Sequence, residues 1–228
     1  MKRLGISLLL ILVFQFNSIY GQEIITAERY MEMVSDNYAS IRDYESSIVI
    51  RSGNTEMIGN ISYLAPSFMR IDFTRPAEQV IVFSGEVLTV YIPDMRAVLT
   101  QTVNQRRGGA SGAGMASSQG LSLLRRNYVP SFLTGPTPEV LDSNSSENVI
   151  KLRLTRRSIS EGFREIILSI NPQTLFIRRI EGRTIADGEV RFDFTNLRPN
   201  VGIPQQRFAF DSPPLANVYQ NFLFRDAD

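Results

Sequence analysis

The chain contains no histidine, no cysteine and no tryptophan in 228 residues. Without histidine and cysteine there is no Ser-His-Asp triad, no thiol nucleophile and no His- or Cys-ligated zinc or iron site. The sequence therefore points away from an enzyme and needs no cofactor. A strong charge of one sign is also missing: 24 basic residues face 23 acidic ones, and removal of Lys2 and Arg3 with a leader leaves the rest close to neutral. Nucleic acid is a poor partner for such a surface, because binding it calls for a markedly basic domain. Arginine doublets stand at Arg106–Arg107, Arg125–Arg126, Arg156–Arg157 and Arg178–Arg179. They suit solvated strand ends, with anionic headgroups or a partner's carboxylates as the alternative. Paired carboxylates for acid–base work are not evident, since Asp72, Asp94, Glu161 and Asp193 sit in or beside strand patterns where surface charge is the ordinary state.

Long apolar runs are scarce. One extends from Leu4 to Phe16 behind Lys2 and Arg3, and it is shorter than the ~20 residues of a spanning helix. Its length and flanks predict a signal peptide over residues 1–21, cut after Gly21, and a soluble product beyond the inner membrane. Residues 22–228 then form a single domain.

Within "ITAERYMEMVSDNYASIRDYES" the spacing of Tyr30, Met33, Val34, Tyr38 and Ile41 predicts a helix with one apolar stripe, and Thr26 is its natural N-cap. From Ser46 the period changes to two. "SSIVIRS" and "EMIGNISYLA" flank Ser52-Gly53-Asn54, and "FMRIDFT" follows. "QVIVFSGEVLTVYI" turns at Ser84-Gly85, and Pro93-Asp94 leads into "MRAVLTQ". Six antiparallel strands in a meander are expected. Met69, Ile71, Phe73, Val80, Val82, Leu88 and Val90 are assigned to the covered face, which leaves Ile81, Phe83 and Tyr91 on the opposite register, either as an outer apolar face that meets a partner or as the sign of an inverted register.

Residues 102–120, "TVNQRRGGASGAGMASSQG", have no period and read as a long loop. Gly109, Gly112 and Gly114 make no phosphate cradle, because no Lys-Ser/Thr pair follows and no strand-turn-helix unit surrounds them. "LSLLRRNYVPSFL" predicts a short helix carrying Leu121, Leu123 and Leu124 and stopping before Pro130. Four more strands follow at "NVIKLRLTRR", "FREIILSI", "TLFIRRIEG" and "GEVRFDFTNL", with a last one at Arg207 to Phe210. The fold expected is mainly β with α: ten or eleven antiparallel strands in one sheet. Accumulated twist must curl such a sheet, and amphipathic helices on its concave side would enclose an apolar chamber.

One stretch carries a family likeness. "APSFMRIDFTRPAEQVIVFSGEVLTVYIPDMRAV" resembles the diagnostic segment of the periplasmic outer-membrane lipoprotein carriers of the LolA type. That segment is a Pro, a Phe-Arg-Trp-like strand, a second Pro, a Gln-hydrophobic strand, an Asp-Gly turn and a Leu-Trp-x-Tyr-x-Pro strand. Pro66, Met69-Arg70-Ile71, Pro76, Gln79 to Val82, Ser84-Gly85 and Leu88 to Pro93 stand in those places. The closing Phe-x-Phe-x-x-Pro run is matched by Phe208 to Pro213.

The resemblance implies an unclosed β-barrel of about eleven strands, with helices lidding an apolar cavity that holds the acyl chains of lipoproteins. It implies acylated lipoproteins, an inner-membrane release complex and an outer-membrane or equivalent acceptor as partners, and the periplasm as location. Met69 and Ile71 fall where the family has aromatic residues facing the cavity. With Phe73, Val80, Val82, Leu88 and Val90 on strands, and Tyr30, Met33, Val34, Leu121 and Leu124 on helices, they form the expected lipid-binding set. Plain core packing would produce the same pattern. A sensor of this shape that binds lipid without shuttling it is the main alternative, ahead of a surface scaffold. The chain departs from the family at Ala65, where an Arg ties the lid shut, at Ser84, and at both Trp positions.

Overall fold

The computed structural model describes residues 25–102 and 112–221. The expected signal peptide and the first part of the glycine-rich stretch lie outside them. Helix α1, Ala27–Ser40, starts where Thr26 is still extended and its Oγ1 accepts the Arg29 N–H at 3.2 Å. That bond satisfies one of the donors a first turn leaves open. Its buried seam is Ala27, Met31, Val34 and Tyr38, flanked by Tyr30 and Ser35.

Strands β1 (Asp43–Ser52), β2 (Thr55–Leu64), β3 (Phe68–Arg75), β4 (Val80–Ser84), β5 (Val87–Ile92) and β6 (Ala97–Thr102) form the expected meander. Gly53 and Gly85, at φ 55° and 96°, make two of its turns in the left-handed region that a side chain resists. Helix α2, Ser118–Asn127, precedes β7 (Tyr128–Phe132), β8 (Glu139–Val140), β9 (Asn148–Arg156), β10 (Phe163–Ile170), β11 (Ile177–Thr184) and β12 (Glu189–Pro199). The four strands expected in this half all form. A final strand, β13 (Asn217–Gln220), runs parallel to β6.

Because β12 returns to pair with β1, the two halves join in one sheet of thirteen strands, ordered β13-β6-β5-β4-β3-β2-β1-β12-β11-β10-β9-β7 with β8 on the side of β9. The sheet is unclosed: β13 and β7 are its two ends. Both helices lie on one face, where the main core is packed.

Three local expectations differ from the structure. Residues 112–116, read as loop, wind into a 3-10 turn, and Ser117 then caps α2 by accepting the Gly120 N–H at 3.0 Å. Pro130 does not stop a helix but lies within β7, which among the described residues pairs with β9 alone, so its missing N–H costs the sheet nothing. The segment expected as a last strand is a 3-10 turn at Gln205–Phe208.

That last segment straps the outer face of the sheet. Val82, Ile203 and Phe208 form a second core there with Leu64, Phe68, Val80 and Phe210. The strap is fixed by Arg70, which pairs with Asp72 at 2.8 Å and donates to the Ala209 carbonyl at 3.0 Å, and by the Arg207–Asp72 ion pair. Farther along the same face Arg179, only 5% exposed, lies between Asp193 at 2.6 Å and Asp142 at 2.7 Å. Its guanidinium holds the Asp142 carboxyl below the usual carboxylate range and fastens the β8 segment to the sheet.

Gly120 is the tightest backbone approach under the lid. A Cβ there would stand 2.1 Å from the Gly114 carbonyl oxygen and 2.7 Å from Met115 Cα. Gly120→Ala should therefore cost about 1–3 kcal/mol through overpacking, read as a lower urea midpoint with an unchanged slope.

Candidate functional site

Strand register defines which side chains face the helices. Tyr44, Ile48 and Ile50 on β1 align with Tyr63, Gly59 and Met57 on β2, and Gly59, Ile61 and Tyr63 align with Phe73, Ile71 and Met69 on β3. From Met69 and Ile71 the same side continues to Phe83 and Ile81 on β4, then to Leu88 and Val90 on β5, and to Leu99 on β6. Tyr219 of β13 is level with Leu99.

This inner face is sealed on one side and half open on the other. Under the helices it is solid: Ile48, Ile61, Ile71, Leu152, Leu154 and Phe194 are each at most 2% exposed. A chain of tyrosine rings fills the middle, with Tyr38 edge-on to Tyr44 at 6.4 Å and Tyr44 against Tyr63 at 5.1 Å. Toward the β13 edge Ile81, Phe83, Leu88, Val90 and Leu99 are only half-buried, and Tyr219 is 52% exposed. Away from the strap the outer face differs in kind. A cleft of about 450 Å³ over β1, β2 and β12 is lined by Glu45, Ser47, Asn60, Ser62, Arg198 and Arg207 among others, a surface suited to water.

The lid is tied down by hydroxyls. Tyr44 donates to the Ala116 carbonyl at 2.8 Å in a buried contact, and Tyr63 shares a 3.2 Å hydrogen bond with Ser118 Oγ and lies 3.1 Å from the Pro66 carbonyl. Tyr38 accepts the Ile177 N–H at 3.1 Å. Ala65, which stands where the resemblance calls for a lid-fastening Arg, packs against the core, and its N–H donates to the Arg42 carbonyl at 2.8 Å. Burial pushes the phenols of Tyr38, Tyr44, Tyr63 and Tyr128 above the ordinary tyrosine value, and that of Tyr30 to about 12.

Of the residues predicted from sequence, Tyr30, Val34, Ile71, Phe73, Leu121 and Leu124 lie in the sealed core, and Met69, Leu88 and Val90 are half-buried on the same inner face. Val80 and Val82 are corrected: they point outward, into the second core beneath the Phe208 strap. Of the two alternatives, the inverted register holds on β4, where Ile81 and Phe83 take the inner positions, whereas Tyr91 lies outward, 5.7 Å from Phe210. Met33 is also corrected. At ~100° per residue it lies beyond the seam centred on Met31 and Val34, and Met31 is the buried methionine. Sequence reasoning missed Leu99 and the hydroxyl roles of Tyr44 and Tyr63. The spacing of Met31 from Ala27 and Val34 was the available signal for the helix.

Two outcomes follow from the tyrosines. Tyr44→Phe leaves the Ala116 carbonyl unpaired and should cost about 1–2 kcal/mol, with faster amide exchange in α2 than in β10. A buried phenol with a raised pKa favours folding below the unfolded value of ~10 and loses that contribution as pH rises through the folded value. The denaturation midpoint should thus hold steady up to pH ~10 and fall above it, less steeply in Tyr30→Phe.

No family model matches the chain. It is similar to the outer-membrane lipoprotein carrier protein of Bordetella avium (strain 197N), 24% identical over 178 residues that cover 77% of this chain and 78% of the relative. The carrier protein of Leptothrix cholodnii (strain ATCC 51168 / LMG 8142 / SP-6) is 26% identical over 171 residues, 71% of this chain and 69% of the relative. Among solved structures, an uncharacterized conserved protein from Thermus thermophilus superposes with a TM-score of 0.55 at 11% identity, over 85% of this chain and 98% of that one. That likeness is one of fold alone. In sequence the chain is similar to outer-membrane lipoprotein carrier proteins over about three quarters of its length.

Proposed function

We propose that this protein is a periplasmic carrier that binds the acyl chains of lipoproteins on its inner face and moves them from the inner to the outer membrane. The observation that carries the reading is the graded inner face, sealed beneath two helices and half-exposed along Ile81, Phe83, Leu88, Val90 and Leu99. Binding, not catalysis, is the chemistry such a surface offers. The names of the sequence relatives support lipoproteins as cargo.

The energetics favour a surface of this graded kind. An acyl chain of ~15 methylenes at ~0.8 kcal/mol each hides roughly 12 kcal/mol of apolar surface. Three such chains exceed the roughly 18–21 kcal/mol ceiling on non-covalent affinity, so burial must be partial. A half-open wall takes the first chain without rearrangement. Deeper burial needs the lid to lift, and Met69, Ile71, Phe73, Tyr30, Val34, Leu121 and Leu124 would then join the binding surface. The release complex and acceptor are the membrane-bound partners that shuttling requires. Binding without shuttling, as in a sensor, uses the same wall and is separated by whether cargo exchanges into acceptor vesicles.

The test is a pair of substitutions on opposite faces. Leu88→Glu places a carboxylate on the half-exposed wall and should weaken binding of a fluorescent triacylated lipopeptide at least tenfold, about 1.4 kcal/mol, with thermal stability nearly unchanged. Val82→Glu, on the 2%-exposed outer core, should instead unfold the protein. Full lipopeptide binding by folded Leu88→Glu would overturn the reading.

A further inference from the structure

We propose that the end of the sheet formed by the β9–β10 and β11–β12 turns is a docking edge for an anionic phospholipid bilayer. The two turns lie side by side because β10 pairs with β11 from Phe163↔Thr184 onward. Arg164 joins them, donating to the Ile185 carbonyl at 2.6 Å and to Asp187 at 2.8 Å. Each turn holds an isoleucine out in water: Ile159 is 86% exposed and Ile185 54%. Isolated exposed apolar residues are common, but two β-branched side chains at the tips of neighbouring turns make one projecting edge.

The surroundings of that edge are cationic. The C-terminal end of α2 abuts the same hairpin, where the Arg157 N–H donates to the Asn127 carbonyl at 2.8 Å. Among the described residues the side chains of Arg126, Arg156 and Arg157 bond only to neutral oxygens, those of Asn127, Ile159 and Tyr128. Three guanidiniums with no carboxylate paired to them among the described residues therefore stand near the exposed isoleucines. Among the described residues the carboxylates on this edge are Glu161, Glu165, Asp187 and Glu189, and the last three are paired with Arg153, Arg164 and Arg183. The helix C-terminus adds its own negative end, which favours the cations gathered there.

A bilayer fits this pattern better than an acidic protein patch does. Guanidiniums bind phosphates in forked geometry at the headgroup level, and an isoleucine reaching past them gains by entering the acyl boundary. An acidic protein surface would match the arginines and leave the isoleucines in contact with charge. The edge lies apart from the half-open wall and uses none of its residues, so its role stands independently of which cargo the wall carries.

The test is co-sedimentation of the mature protein, without lipopeptide, with vesicles of phosphatidylcholine alone or with about a third phosphatidylglycerol. Binding should appear only with phosphatidylglycerol and weaken at high salt. Arg156→Gln/Arg157→Gln should reduce partitioning roughly tenfold or more, and Ile159→Ser/Ile185→Ser should reduce it several-fold. Both pairs should retain wild-type melting temperature and lipopeptide binding. Equal sedimentation with both vesicle types, none with either, or binding untouched by both pairs of substitutions would overturn the proposal.

Discussion

The structure depends on a mismatch of areas. Twelve strands in one continuous path, ~4.8 Å apart, describe an arc of roughly 55 Å, whereas two helices of ~10 Å diameter cover little more than a third of it. Curling brings part of the remainder under cover, which is why β1, β2, β12, β11, β10 and β9 all contribute to one core beneath α1 and α2. What curling cannot cover is the inner face of β4 to β6, where apolar side chains remain half-buried. A sheet intended only as a scaffold would carry polar residues there. Leu88, Val90 and Leu99 keep hydrocarbon at the surface instead.

The outer strap is the counterpart of that wall. With the inner face of β4 and β5 left partly wet, these strands gain burial from behind, where Phe208 and Phe210 pack on Val82, Val80 and Tyr91. Arg70 is the pin: it binds Asp72 on its own strand and the Ala209 carbonyl of the strap. The strap then delivers the chain to the β6 edge, where β13 occupies hydrogen-bonding positions that would otherwise be unpaired.

This two-sided burial explains where sequence reading succeeded and where it did not. Strands facing water on one side alternate cleanly, so β1, β3, β9, β10 and β12 were legible, as were the Thr26 cap and the meander turns. In "QVIVF" both faces are apolar, because one lines the trough and the other meets the strap. Alternation then carries no information about direction, and Val80 and Val82 were assigned to the wrong side. Pro130 and the 112–116 turn were misread for a different reason: their conformation is imposed by β9 and by the close approach of Gly120, and neither is visible in local propensity. Strand pairing between β1 and β12, across more than a hundred residues, had no local signal at all.

The fastening of the lid shows how such a fold tolerates wide divergence. An apolar wall requires area and not particular residues, so Met69 and Ile71 serve on this inner face without aromatic rings. The lid is held by directional bonds: the rings of Tyr44 and Tyr63 lie in the core, and their hydroxyls meet Ala116 and Ser118 at the start of α2. Each is a neutral hydrogen bond with a net value of about 1 kcal/mol. A buried arginine at position 65 would instead put a charge beneath the lid at the cost of its desolvation; two phenols fasten this lid without one, beside the packing of Leu121 and Leu124 in the core.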